Sequence, residues 1–305
     1  MSSPEAPEAP EAPEAPAAIR TAERPARSLG AARPGIGLSL LASELVTLFR
    51  RWRTWAMLAA LGLIPVLIGI AIRLAGPAGP GRGPAFLDQI AGNGLFVGVT
   101  ALVVATPLFL PLTIAVVSGD AIAGDASLGT LRYLVIAPAG RMRLLVVKYL
   151  VAAAFCLAAA LTVVAVGTIV GWVLFPVGPV TLLSGGQIAV GEGLLRFLAI
   201  GAYVAVSMLG LSAIGLFAST LTVVPVGAMA ATAILAVAAQ IAGAIPQLEW
   251  LHPFLFTDRW FDFADLLRSP PSWASFGENA LVQAAYVAVF GGLAAWRFAT
   301  RDILS

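Results

Sequence analysis

Histidine, cysteine and lysine each occur once in these 305 residues, as His252, Cys156 and Lys148. One histidine excludes any metal site with two or more histidine ligands and leaves a nucleophile–base dyad a single candidate. One cysteine excludes an intrachain disulfide and a thiolate cluster. Cys156 lies in an apolar run, where a thiol behaves as a small hydrophobe. Lys148 stands between Val147 and Tyr149. A phosphate-binding P-loop requires Gly-Lys-Ser/Thr, so this sequence contains none, and any ATP that drives it is hydrolysed elsewhere. Asp258, Asp262 and Asp265 fall at i, i+4 and i+7 and would share one helical face. Three carboxylates alone supply too few oxygens for a hard cation, so the expectation is a solvated face and no metal. His252 lies two residues from Trp250 and reads as an interface residue. No residue is assigned a catalytic role.

The elements that carry these residues are not built for water. Hydrophobic residues make up 59% and charged residues 11% of the chain, against about 25% charged in soluble domains. The mean hydropathy is +0.93. The net charge of +2 is small, and the basic residues are scattered at helix ends, with no nucleic-acid-binding module.

Residues 4–16 repeat Pro-Glu-Ala and close on Pro16, and Arg20, Arg24, Arg27 and Arg33 follow. Proline at every third position and nothing apolar to bury predict a disordered tail over 1–35. No apolar stretch precedes Gly35, so no cleaved signal peptide is expected. From Leu38 to Arg53, Leu38, Leu41, Leu45, Leu48, Phe49 and Trp52 fall on one helical face, with Ser43, Glu44, Thr47, Arg50 and Arg51 opposite. That pattern predicts an amphipathic helix lying in the membrane interface.

Six apolar runs follow, near 54–75, 95–118, 145–174, 195–217, 223–245 and 280–299, each long enough to cross a ~30 Å hydrocarbon core. The fold class is therefore all-α: a polytopic membrane protein over 36–305, with six transmembrane helices preceded by the interfacial helix. Pro65, Pro107, Pro111 and Pro225 are expected to kink spans. Gly94-x-x-x-Gly98 and Gly167-x-x-x-Gly171 would permit close helix contact. Most basic residues precede the first run, lie between the second and third (Arg132, Arg141, Arg143, Lys148) or follow the sixth (Arg297, Arg301). The positive-inside bias then places both termini in the cytoplasm. The centres of the runs hold no Asp, Glu, Lys, Arg or His, which argues against a proton- or sodium-coupled carrier. Among their polar residues, Gln240 and Gln283 are the candidates for touching a substrate, against the plainer reading of helix-to-helix hydrogen bonding. The segment 247–279 is an external loop rich in aromatic rings, which favour the interface.

The loop 119–143 is the most informative stretch. It runs Gly119-Asp120, then Gly124-Asp125, then Gly129-Thr130-Leu131-Arg132, then Leu134, Pro138 and Arg141, with Lys148 beyond. Thr130 can cap a short helix that Pro138 ends, with Leu131, Leu134 and Val135 on one side. The pattern resembles the ABC-2 type permeases, the membrane subunits of bacterial ATP-binding-cassette exporters. Their loop carries an acidic residue, Gly-Thr-Leu, a Pro-x-Ser-Arg stretch and a lysine heading the third span. Asp125 stands at the acidic position, Gly129, Thr130, Leu131, Pro138, Arg141 and Lys148 match, and Gly140 replaces the serine. The Leu216–Thr222 turn, the six-span order and the leading amphipathic helix are similar as well.

The resemblance implies a permease with no catalysis of its own, working as a homodimer or heterodimer with a second permease. It implies a separate ABC ATPase, carrying ATP and Mg, that docks on the loop helix. Asp125 and Arg132 would be polar contacts and Leu131 and Leu134 apolar ones, beside Gly129, Thr130, Pro138 and Arg141. It implies residence in the bacterial cytoplasmic membrane. The apolar interior suggests export of a lipophilic or amphipathic substrate. The alternatives are a membrane anchor or a secondary carrier not driven by ATP; an intramembrane hydrolase is disfavoured because the one histidine lies in an external loop.

Overall fold

The structure is a computed structural model that describes residues 35–75, 93–128 and 140–300. The expected tail, apart from Gly35, and the loop helix around Thr130–Pro138 lie outside the described residues.

Helix α1 (Gly35–Arg50) ends one residue before α2 (Trp52–Ala75) begins. The carbonyls that a helix end leaves without partners are taken up here by the next helix. Thr54 Oγ1 donates to Leu48 O at 2.7 Å, and Trp55 Nε1 donates to Phe49 O at 2.7 Å. The elbow between α1 and α2 is thus tied by side chains from α2. α2 runs through Pro65 without losing helical assignment.

The second span is two helices, α3 (Phe96–Ala105) and α4 (Phe109–Ser127). Proline chemistry explains the gap. Pro107 has no N–H for Val103 O, and Pro111 has none for Pro107 O. The second of these carbonyls is rescued from a neighbouring span: Gln240 Nε2 donates to Pro107 O at 2.7 Å.

The third span is one helix, α5 (Arg141–Leu174). It packs against α3 and the turn before it in antiparallel fashion through both glycine pairs. A Cβ on Gly94 would sit 2.1 Å from Gly171 O, and one on Gly167 would sit 2.4 Å from Gly98 Cα. The backbones touch, so neither site tolerates a side chain.

A two-stranded antiparallel hairpin, β1 (Val180–Thr181) with β2 (Gln187–Ile188), follows; the apolar pattern gave no sign of it. The fourth span is again broken, into α6 (Val190–Ser207) and α7 (Leu209–Leu221), with no proline at the break. The fifth is α8 (Pro225–Ala244). Pro225 occupies its first turn, where a missing N–H costs nothing, so it starts the span and does not kink it. Two 3-10 segments, Pro246–Phe254 and Asp262–Leu267, fill the loop before the sixth span, α9 (Ala274–Thr300).

Among the described residues, six helical stretches are long and apolar enough to cross a membrane: Trp52–Leu74, Phe109–Ser127, Met142–Leu174, Val190–Leu221, Pro225–Ala244 and Ala274–Arg297. The packed centre joins them around Leu102, Ile114, Phe155, Phe197, Tyr203 and Leu211, all buried. Leu63, Leu67, Ile234, Leu281 and Val289 point outward and exposed. Apolar surface on the outside as well as the inside is what a lipid solvent permits.

Candidate functional site

The last turns of α4 feed directly into the loop that the sequence singles out, and they carry two carboxylates, Asp120 and Asp125. Neither is left to solvent. Asp120 accepts from Arg53 Nη2 in a very short contact and from Arg51 Nη1 at 3.4 Å. Both arginines come from the elbow between α1 and α2. Asp125 lies 2.7 Å from Lys148 Nζ, on the second turn of α5. The same ammonium lies 2.9 Å from Glu44 Oε2, on α1. The only lysine of the chain therefore bridges two carboxylates from different helices while mostly buried itself. Sequence periodicity places Glu44 on the wet face of α1; the structure turns it inward, because Lys148 offers it a counter-charge.

The two ion clusters border one cavity of about 490 Å³, with Leu48, Met57, Val117 and Val151 supplying apolar wall. An ammonium out of water is stable only when paired and hydrogen-bonded. The ammonium therefore fixes three elements at once, α1, the end of α4 and the start of α5, and the half-exposed arginines link the start of α2 to them through Asp120. Gly140, the residue before α5, has φ +76° and ψ 143°, a conformation essentially restricted to glycine.

Of the residues expected to dock an ATPase, Gly129, Thr130, Leu131, Arg132, Leu134 and Pro138 lie outside the described residues, as does the Arg141 side chain. Arg141 opens α5, and Asp125 faces Lys148. Sequence reasoning missed Glu44, Asp120, Arg51 and Arg53 as members of this site. The signal available was the solitary lysine, which needs counter-charges when a helix carries it into the membrane.

Gln240 and Gln283 both serve backbone groups. Gln240 holds the Pro107 carbonyl, as above. Gln283 is buried, with every polar atom of its amide engaged. Its Oε1 accepts from Gly210 N at 3.2 Å, and its Nε2 donates to Phe256 O at 2.9 Å and to Asn279 Oδ1 at 3.2 Å. Asn279 Nδ2 in turn donates to Ser207 Oγ at 2.8 Å. This chain of amides from α9 straddles the break between α6 and α7 and supplies the acceptor that the first turn of α7 lacks.

Residues 40–245 match the family described as ABC-2 family transporter protein. The chain belongs to that family. No curated protein matches it. As an ABC-2 permease domain it is a multi-pass membrane component of an ABC transporter. Permeases of this family are in general non-catalytic and work with an ABC ATPase, often beside a second permease.

At the far end of the permease the three aspartates do not share a helix face. Asp262 and Asp265 sit on a 3-10 segment and Asp258 in the turn before it. Asp265 accepts from Ser275 Oγ at 2.5 Å and lies 3.0 Å from Arg268 Nε. Arg259 contacts Asp262 at 3.6 Å and Glu278 at 2.5 Å. Desolvation pushes the Asp262 carboxyl above its usual value; Arg259 pulls the other way and Asp258 adds to the rise. No group of three or more His, Cys, Asp or Glu arranged to hold a metal occurs among the described residues. Arg196, on α6, ties the loop down by donating to Leu266 O at 3.2 Å and Arg268 O at 2.7 Å.

Proposed function

We propose that this permease exports a lipophilic or amphipathic substrate across a bacterial cytoplasmic membrane, driven by an ABC ATPase that docks on the loop between its second and third spans. The observation that carries this reading is the charge-fixed stem: Asp125, at the foot of that loop, is held to α5 by Lys148 and through it to Glu44 on α1, with Asp120 paired to arginines at the start of α2. A docking peg transmits force only from a rigid base, and a loop that served as a mere connection would not need one. Leu131 and Leu134 are the apolar contacts and Arg132 the polar one, with Gly129, Thr130, Pro138 and Arg141 shaping the peg. Asp125 contributes by holding its base.

ATP and Mg belong to the ATPase, since Lys148 lies outside any P-loop. Both termini and the ion-clustered face are cytoplasmic, in keeping with the basic residues gathered there. A second copy or a related permease completes the pathway. The absence of midplane charges keeps a proton- or sodium-coupled carrier the weaker reading.

Purification from the native host after mild solubilisation tests this. Wild type is expected to bring down a stoichiometric ATPase, and Leu131→Asp with Leu134→Asp is expected to lose it while remaining in the membrane. Recovery of no ATPase after crosslinking would remove the motor from this reading and return the carrier and the anchor to consideration.

A further inference from the structure

The two ion clusters that border the cavity carry the same number of partners but differ sharply in exposure. Lys148, Glu44 and Asp125 are 9%, 17% and 14% exposed at the side chain. Arg51 and Arg53 are each 46% exposed, around an Asp120 that is 14% exposed. A guanidinium that is half in water exchanges its partner for solvent at little cost, and salt screens it. A buried ammonium between two largely covered carboxylates cannot leave without stranding charge.

We propose that Lys148 is a permanent pin that makes α1 move as one body with the stem of the docking loop, while Arg51 and Arg53 form a releasable latch on Asp120. Lys148 is thus a positioning residue, acting through Glu44 and Asp125. This rests on the reading of the loop as the ATPase-docking element. In that setting α1 is a second output of the loop: displacement of the stem shifts α1 as well as α4. The Asp120 latch opens when the elbow swings, because its arginines already meet water.

The test uses the full chain with Cys156→Ala and spin labels at Ser43→Cys on α1 and Ser127→Cys at the end of α4, read by pulsed electron resonance. With the pin intact, the distance distribution is expected to be single and to stay so when the co-purifying ATPase and MgATP are added. Glu44→Leu is expected to broaden it, Lys148→Arg to preserve it, and Arg51→Gln with Arg53→Gln to leave it single. In the assembled complex, the factor by which assembly changes MgATP turnover of the ATPase is expected to fall at least about fivefold in Glu44→Leu, with subunit stoichiometry unchanged. A distribution that stays narrow in Glu44→Leu, or one that broadens equally in the arginine variant, overturns the pin. The distance arm needs only the permease, so it decides the pin even if no ATPase is recovered, a result that would sink the functional reading alone.

Discussion

The second and fourth spans are both broken into two helices, and each break is closed by a glutamine from another span, yet the breaks have opposite origins. In the second span the cause is local. Pro107 and Pro111 remove the donors that Val103 O and Pro107 O would have used, and Gln240 repairs the damage afterwards. In the fourth span the sequence around Met208 contains no proline, only the weaker interruptions Ser207 and Gly210. The helix could continue, but Gly210 N bonds to Gln283 Oε1, and Tyr286 packs beside it. One break is written into the chain that contains it; the other is imposed by a neighbour. A proline break survives the loss of its glutamine, whereas an imposed break depends on it.

The largest effect is expected from Gln283→Leu. It strands Phe256 O and leaves Asn279 half-satisfied, and each buried polar group left without a partner costs about 1–3 kcal/mol. A loss of about 2–4 kcal/mol, read as a fall in thermal unfolding temperature in detergent, is the expected outcome. No loss would mean that the fourth span breaks for reasons of its own.

Next comes Gly210→Ala. Its Cβ would lie 2.4 Å from Gln283 Oε1 and 3.1 Å from Tyr286 Cβ. Overpacking of this kind costs about 1–3 kcal/mol. The double variant with Gln283→Leu should cost clearly less than the two singles combined, because the clash disappears with the amide. Strict additivity would separate the glycine from the glutamine and weaken the idea of an imposed break.

These two expectations mark the boundary of what the sequence could reveal. Six spans, the double proline and the glycine pairs were legible because each is a local or single-helix property: run length, a missing N–H, a missing Cβ. The break at Met208 was not, since its cause sits on α9, in Gln283, 73 residues beyond the Gly210 N–H that it accepts from. Glu44 was misplaced for the same reason. A helical wheel sorts residues by polarity, and only the docking of α1 on α5 brings Lys148 beneath it. Gln240 and Gln283 stood out in the sequence as candidates for touching a substrate; what the sequence could not supply was the backbone group each one serves.

A smaller effect is expected at the proline break. Gln240→Leu should cost about 1 kcal/mol, the worth of one interhelical hydrogen bond in a membrane protein. In a Pro111→Ala background that cost should nearly vanish, because the substitution restores an N–H for Pro107 O. Equal costs in the two backgrounds, measured by the same unfolding assay, would show that Gln240 does something other than repair the carbonyl.

The smallest effect belongs to the loop before α9, which neither glutamine touches directly except through Phe256. The raised Asp262 carboxyl holds its proton to higher pH in the folded protein than in the unfolded chain. Its contribution therefore favours the fold below the ordinary carboxylate range and is lost as pH rises through the folded value. Asp262→Asn should remove that slope over the acidic window and leave the slope unchanged above it. An identical pH profile for variant and wild type would show that Arg259 fully offsets the desolvation.

Lys148 has a practical consequence for anyone assembling this permease with its motor. Reagents that join proteins through lysine side chains have one target here, and it is buried between two carboxylates. A blank result at that side chain would report on a buried ammonium group and not on the absence of a neighbour. Contact mapping is better served by a photoreactive side chain placed at position 131 or 134, in the loop proposed to dock the ATPase.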